Sequence, residues 1–234
     1  MEKTFSINEG QSSSLVVMCD GRGGRFLYPA EDPHRHTGAA ADIGRVVIGK
    51  DARLSLVYIV MPGCRNDISL AVDLDGEGAE LSVSGIYLCD GSDRLSIGMD
   101  VRHNVPHCRS RQLFKGLVSG GSGVSFYGKI TVAYDAQKTE AYQENHSIIL
   151  SDDAKVETRP QLEIYADDVK CSHGATIGRL NEEEQFYMRS RGIPEDEARV
   201  LQMLSFLSPV LDFIEDGHQR EEIAAMVDSA ARSL

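Results

Sequence analysis

The chain has 234 residues, a length that predicts one domain or one domain with an appended segment. Lys and Arg number 24 against 36 Asp and Glu, which gives a formal net charge of −12. This charge makes nucleic acid and anionic membrane surfaces unfavourable partners.

The cysteines and the apolar stretches indicate a cellular compartment. Five cysteines are present, an odd number, and none of them has C-x-x-C spacing. This pattern argues against a disulfide framework or a structural zinc module and is typical of a reducing cytosol. No stretch approaches the ~20 apolar residues of a membrane span, and the first residues lack the apolar core of a signal peptide. We therefore expect a soluble cytoplasmic protein.

Short alternating stretches, separated by turns, dominate from residue 13 to about residue 176. Apolar and polar residues alternate there with the period of two that half-buried strands show. The clearest strands are predicted at residues 53–60, 80–88, 124–132 and 161–165. Glycine and acidic clusters between them predict turns.

Several of these strands begin with one pattern. An acidic residue or glycine is followed by alanine, a charged residue and an aliphatic residue at 51–54, 78–81 and 153–156. An irregular repeat of this kind is typical of a solenoid in which each coil buries its apolar face against the next. The repeat alone leaves a β-sandwich equally open.

Two further stretches are interpreted as loops. Residues 19–45, rich in Gly, Arg, His and Ala, predict one long loop. Residues 116–123 are rich in glycine but lack the Lys-Ser/Thr ending of a phosphate-binding loop. No helical pattern follows them, whereas phosphate cradles of this type open a helix, so we predict a turn.

Four histidines have the side chain that metals prefer: His34, His36, His103 and His107. Pro106 argues against a helix that would bring His103 and His107 to one face. We interpret all four as residues of surface loops.

The pattern becomes helical after residue 178. Asn181, followed by glutamate three residues later, predicts the start of a helix over 182–190. Pro194 begins a second helix, which Pro209 is predicted to break or kink. A last amphipathic helix is predicted at 221–232. The domains are therefore a β region over 1–178 and a helical region over 179–234, whose simplest role is to cap the open end of the solenoid.

Cys171 and His173 stand where the β region ends. Residues i and i+2 of a strand point to the same face, and thiolate and imidazole both suit iron, zinc and copper. The alternative is a buried structural cysteine beside a histidine satisfied by a hydrogen bond.

The residues around this pair resemble a known family. Residues 165–176 read Tyr-Ala-Asp-Asp-Val-Lys-Cys-Ser-His-Gly-Ala-Thr, and this run closely resembles the C-terminal signature of the SufB/SufD iron–sulfur cluster assembly proteins, the SufD branch in particular. Further matches occur at 110–115, 158–162 and 186–193. The resemblance implies a mainly β fold, a right-handed parallel β-helix with a C-terminal helical segment.

The resemblance also implies a function and partners. Family members form a scaffold with the SufC ATPase, and SufB and SufD pair through their β-helices. A SufC-like ATPase and either a SufB-like chain or a second copy of this chain are therefore the expected partners. The apolar residues of the helical region provide the ATPase-docking surface: Phe186, Tyr187, Met188, Leu201 and Leu204.

By resemblance, Cys171 and His173 match SufD residues near the pairing surface, where ligands of a nascent cluster are thought to lie. A C-x-H pair supplies two of the ~four ligands of a closed metal site. The cluster is thus expected to be transient and confined to the assembled complex, with none in the isolated chain.

This chain departs from the SufB pattern in three places. It reads Ser-His-Gly at 172–174, where SufB-like chains have Glu-His-Glu, and it has Asn145 where they place a cysteine. Near residues 71–74 it has no cysteine that could accept sulfur. The chemistry-bearing chain is therefore expected to be a partner. The family's N-terminal helical domain also has no counterpart, so we expect a shortened SufD-like protein or a short chain that pairs with itself.

Two alternatives remain from the sequence. One is a purely structural partner without metal contact. The other is a polysaccharide-active enzyme, because β-helices also carry such activities on paired carboxylates. Asp167 and Asp168 are the candidate pair, but adjacent strand residues point to opposite faces, which argues against this alternative.

Overall fold

The computed structural model describes residues 3–19, 25–29, 43–63 and 65–234. Its thirteen strands run to residue 178 and three helices follow. The strands are β1 Lys3–Ile7, β2 Ser12–Cys19, β3 Arg25–Pro29, β4 Ile43–Ile48, β5 Arg53–Val60, β6 Arg65–Leu74, β7 Glu80–Cys89, β8 Arg94–His103, β9 Arg109–Val118, β10 Gly123–Val132, β11 Glu140–Ile149, β12 Lys155–Ile164 and β13 Lys170–Gly178.

The strands form two sheets that alternate along the chain. One sheet has the order β1-β4-β6-β8-β10-β12 and the other β13-β11-β9-β7-β5-β2-β3. All neighbouring strands are parallel except β2 and β3, which form an antiparallel pair. Each coil thus contributes one strand to each sheet, and the parallel β-helix implied by the resemblance is confirmed.

The segment predicted as one long loop contains strands. Residues 20–24 and 30–42 lie outside the described residues. Arg25–Pro29 forms β3, which pairs with β2, and β4 begins at Ile43. His34 and His36 fall outside the described residues, so their prediction stays untested.

The repeated pattern at the strand starts has a structural reason. Its alanines, Ala52, Ala79 and Ala154, are buried in turns that lead from a strand of one sheet to a strand of the other. The charged residue that follows begins the strand and faces outward. Inside the solenoid, alternate residues of both sheets form one apolar core, and Phe114 and Phe126 contact each other there with ring centroids 5.3 Å apart.

The helices are α1 Glu182–Ser190, α2 Glu195–Leu211 and α3 Gly217–Ala231. Asn181 caps α1 as predicted, since its side chain accepts from the backbone N–H groups of Glu183 and Glu184. Helix α3 begins earlier than predicted, at the N-cap Asp216.

Helix α2 was predicted to break or kink at Pro209. It does not break there but continues to Leu211. Proline offers no N–H to the carbonyl of Ser205, four residues earlier. The hydroxyl of Ser208 donates to that oxygen at 3.0 Å instead, which satisfies the acceptor that the proline leaves.

The helices α2 and α3 cover the outer face of the seven-stranded sheet. Val200, Met203 and Leu207 of α2 pack with Val227 of α3 against outward apolar residues of β2, β5, β7 and β9. The interpretation that these helices simply cap the open end is therefore wrong. Among the described residues, no helix has both the length and the apolar character needed to cross a bilayer.

Candidate functional site

The site lies at the C-terminal end of the solenoid. Within the described part of the chain, strands β12 and β13 are the last strands of their sheets, and each has a strand neighbour on one side only. Their outer edges therefore present backbone N–H and C=O groups that no further coil pairs, which makes them a template for another strand.

Cys171 and His173 both lie on β13, on the face that continues the interior of the solenoid. Cys171 is in register with the buried Ala141, and His173 with the buried Gln143. The Cys171 side chain packs partly against the inner core, whereas His173 is exposed at the edge. The structure thus brings the predicted pair to one face of the open end.

The environment of Cys171 disfavours the thiolate. Burial raises the pKa of the thiol, and a backbone hydrogen bond at Ala141 offsets part of that rise. A metal that binds this sulfur must therefore displace a proton. Among the residues that the structure describes, no group of three His, Cys, Asp or Glu residues could hold a metal ion.

Polar side chains fill the interior just behind the open end. The Tyr87 hydroxyl donates to Asn145 Oδ1 at 3.2 Å and shares a hydrogen bond of 2.6 Å with Ser147 Oγ. Asn145 Nδ2 in turn donates to Thr158 Oγ1 of β12 at 3.1 Å. Burial holds the pKa of Tyr87 well above its usual range, so the phenol stays protonated. Asn145 thus links this network to the edge strand β12.

A buried amide pair lies beside this network. Gln143 Nε2 donates to Gln112 Oε1 at 3.0 Å, and both side chains are almost fully buried. A Cβ atom at Gly128 would overlap the Gln143 amide, so a larger residue there would displace this side chain. These buried glutamines were not predicted, although their place at inward positions of alternating strands is the signal that could have identified them.

The adjacent carboxylates lie in a different place from the predicted one. Asp167 and Asp168 form the bend between β12 and β13 rather than part of a strand. The Asp168 carboxylate forms an ion pair with Lys138, and its backbone N–H donates to Gln137 Oε1 at 2.9 Å. Because these two residues lie in a bend, the prediction that their side chains point to opposite faces of a strand does not apply. The Asp168 carboxylate instead helps to hold the bend in place.

His103 was wrongly assigned to a surface loop. It ends strand β8 with its side chain inside the solenoid and 0% exposed, and Nε2 lies 2.8 Å from Ser110 Oγ. Burial lowers its pKa to about 4. His107 lies in the following turn, with φ of 62°, and is exposed as predicted.

The predicted docking residues lie on α1 and α2. The side chains of Phe186 and Tyr187 are 72% and 59% exposed, and Leu201 is 40% exposed. Met188 is half-buried, and Leu204 packs partly against the core beneath the helices. An open cleft of about 870 Å³ between the two helices is lined by Tyr187, Met188 and Leu201 among others.

Polar contacts hold α1 against α2. Gln202 Nε2 donates to Glu184 Oε2 at 2.8 Å and to the Asn181 carbonyl at 3.0 Å. Its Oε1 accepts from Gln185 Nε2 at 3.1 Å. No residue of α1 is buried, so its aromatic side chains remain available to a partner.

Comparisons with known proteins identify close relatives. The family model for the SufBD core domain of the SUF system for FeS cluster assembly matches residues 31–206. The iron–sulfur cluster assembly protein SufD of Escherichia coli (strain K12) is 33% identical over 197 residues, 84% of this chain and 46% of that protein.

Other organisms contain similar proteins. A SufBD family protein of Synechocystis is 34% identical over 77% of this chain and 40% of its own length. One from Pyrococcus horikoshii is 28% identical over 71% of this chain and 37% of its own length. This chain therefore spans less than half the length of these three relatives.

Proposed function

The chain belongs to the SufBD core family of iron–sulfur cluster assembly proteins, and from this premise we propose that it is a non-enzymatic component of a cluster assembly scaffold. The proposal rests on the open end of the solenoid. There Cys171 and His173 lie on β13, one of the two edge strands. A surface that presents both a pairing edge and metal-binding side chains suits a scaffold.

The proposed first partner is a second β-helix, from a SufB-like chain or from another copy of this chain. It pairs with the edges of β12 and β13, which satisfies their free backbone groups. The exposed apolar side chains of Ile164 and Ile177, 41% and 45% exposed, lie near the ends of these strands and gain burial on pairing.

The proposed second partner is a SufC-like ABC-type ATPase that docks on α1 and α2. Exposed aromatic residues beside a cleft form an anchor of the type that dominates protein interfaces. Phe186 and Tyr187 are the most exposed of the five proposed docking residues, while Met188, Leu201 and Leu204 line or support the cleft.

The proposed cargo is an iron–sulfur cluster held only in the assembled complex. Cys171 and His173 supply ligands from this chain, and the partner supplies the remainder. Two ligands without preorganised partners hold metal weakly, so the isolated chain should bind iron poorly. The cytoplasm is the proposed location.

Iron and sulfide analysis of the reconstituted complex tests this proposal. His173→Ala should lower the cluster content while it leaves pairing and stability almost unchanged, since the side chain is exposed. Cys171→Ser should have a comparable effect if the sulfur is a ligand, and a smaller one if the thiol is only packed.

The double variant decides between two functions. Equal cluster yield in wild type and in the His173→Ala, Cys171→Ser variant would show that the pair has no ligand role. The burial of Cys171 and its raised pKa favour that second candidate, a purely structural partner. Copurification of the untagged chain with the ATPase tests the scaffold role independently of the metal.

A further inference from the structure

The buried amide pair behind the open end forms part of a ladder. Gln112 on β9 and Gln143 on β11 occupy the same inward row, in register across neighbouring parallel strands. Parallel strands lie about 4.8 Å apart, a spacing at which one side-chain amide can donate to the next. The bond from Gln143 Nε2 to Gln112 Oε1, at 3.0 Å, is one step of such a ladder.

The ladder has a direction and an unused end. Gln143 donates toward β9, so the oxygen of the same planar amide is directed away from β9. That oxygen, Oε1, is buried and has no hydrogen-bond partner among the described residues. A buried acceptor without a hydrogen bond destabilises the fold, so a donor is expected next to this oxygen.

The next position in the ladder is His173. It lies on β13 in register with Gln143 and faces the same side of the sheet. A neutral imidazole has one N–H donor and one nitrogen that accepts. A donor is what the free oxygen of Gln143 requires.

We propose that His173 completes this ladder and that Gln143 is a positioning residue for it. The ring N–H of His173 donates to Gln143 Oε1, which fixes one tautomer and turns the other ring nitrogen toward the open end. Metal-binding histidines usually donate their second nitrogen to a carbonyl or carboxylate oxygen in this way. The inference deepens the proposed function, since it explains how an exposed edge histidine is oriented for a ligand role.

The ring nitrogens of His173 provide the test. In the full chain labelled with ¹⁵N-histidine at pH 8, the wild-type His173 signals should report a single tautomer. Their assignment comes from their absence in His173→Ala. In Gln143→Met, which keeps the side-chain length but has no acceptor oxygen, the signals should move to a mixture of both tautomers. The exposed His107 serves as an internal reference that should not change.

Gln112→Met is the matched control. It removes a buried amide of the same size from the same row but leaves Gln143 Oε1 in place, so the single tautomer should persist. If Gln143→Met fails to fold, Gln143→Glu replaces it, because a carboxylate oxygen still accepts and the tautomer should be retained. Wild-type ring signals in a folded Gln143→Met, or mixed tautomers in a folded Gln143→Glu, would overturn the inference.

The ladder and the ligand role can fail separately. The tautomer measurement uses the metal-free chain and decides the ladder alone. The cluster content of His173→Ala decides the ligand role alone. When both hold, Gln143→Met should lower metal affinity in the reconstituted complex by about 10–100-fold, the usual effect of removing such a supporting contact.

Discussion

Buried polar residues inside the β-helix are held in defined protonation states. His103 is enclosed at the end of β8, and Nδ1 has no hydrogen-bond partner among the described residues. Burial therefore favours the neutral ring and lowers its pKa to about 4, whereas a histidine in the unfolded chain titrates near 6.5. Such a shift links the stability of the solenoid to pH.

The sign of this linkage leads to a prediction. Between pH 6.5 and about 4 the unfolded state binds a proton that the folded state excludes, so stability falls as the pH falls. At pH 5 the loss from this one residue is about 2 kcal/mol. Between pH 7.5 and pH 5, the free energy of unfolding of His103→Gln, measured with denaturant, should therefore fall by about 2 kcal/mol less than that of wild type.

The comparison with wild type isolates His103 from the carboxylates that titrate in the same range. His107→Gln, a change at an exposed turn position, should retain the wild-type pH dependence. A His103→Gln chain whose stability falls as steeply as that of wild type would contradict the assigned burial.

The positions and contacts of the side chains at the candidate site were predictable only in part. The adjacency of Cys171 and His173 follows from their spacing, because two residues on one strand share a face. The hydrogen bonds of His103, Gln112 and Gln143 were not predictable in this way, since they depend on residues of other strands. Gly128, for example, is close to the Gln143 amide in space, although fifteen positions separate them along the sequence.

Helix α1 has the features of a docking element. It begins immediately after the edge strand, buries none of its residues, and is attached to α2 through Gln202. Arg191 lies over the Tyr187 ring, 5.2 Å from its centroid, which helps to order that side chain. An element fixed by polar contacts with its aromatic side exposed can accept a partner without refolding.

Truncation of these aromatic residues tests the docking surface. Phe186→Ala together with Tyr187→Ala should weaken ATPase binding by at least ~30-fold, because central aromatic anchors contribute about 2 kcal/mol or more. The fold should be unaffected, since both side chains are mostly exposed. Isothermal titration calorimetry with the ATPase provides the measurement.

Tyr134→Ala is the matched control for this experiment. Tyr134 is 70% exposed, as large and accessible as the α1 aromatics, but it follows β10 on the solenoid. Its truncation should leave binding unchanged. Equal affinities for wild type and the α1 double variant would place the docking surface elsewhere.

Element boundaries were predictable where the signal is local. The N-cap Asn181 correctly located α1, and the strand at 53–60 matches β5. Strand β12 begins at Lys155, whereas the strand was predicted to begin at residue 161. Its first residues were not predicted because Thr158 and Pro160 occupy inward positions there and weaken the apolar–polar alternation. At Pro209 the local rule failed, because the Ser208 hydroxyl satisfies the carbonyl that the proline leaves.

The whole molecule has a charge ladder that runs to the open end. The first residues of five neighbouring strands of the seven-stranded sheet alternate in sign, and ion pairs join them. These residues are Arg53, Glu80, Arg109, Glu140 and Lys170. The bond from Lys170 to Glu140 holds the pKa of that carboxyl below its usual range. The alternation lets successive coils stack without like charges in contact, and it brings a cation to the edge strand β13.

Pairing of the solenoid through this end is the prediction for the whole molecule. At tens of micromolar the chain should sediment as a dimer of twice 25.6 kDa, or as a heterodimer when a SufB-like chain is present. Ile164→Lys with Ile177→Lys should abolish pairing, because charges at a strand edge prevent strand addition. Both side chains are more than 40% exposed, so the circular dichroism spectrum should not change.

The opposite end of the same sheet supplies the control. Phe5 is 40% exposed on β1, the other edge strand of the six-stranded sheet. Phe5→Lys adds the same charge at an edge and should leave the dimer intact if pairing occurs only at the C-terminal end. Loss of the dimer in Phe5→Lys but not in the double variant would place the interface at the first coil. A wild-type chain that remains monomeric, both alone and with a SufB-like partner, would rule out pairing through the β-helix, and with it the cluster site that two chains are proposed to share.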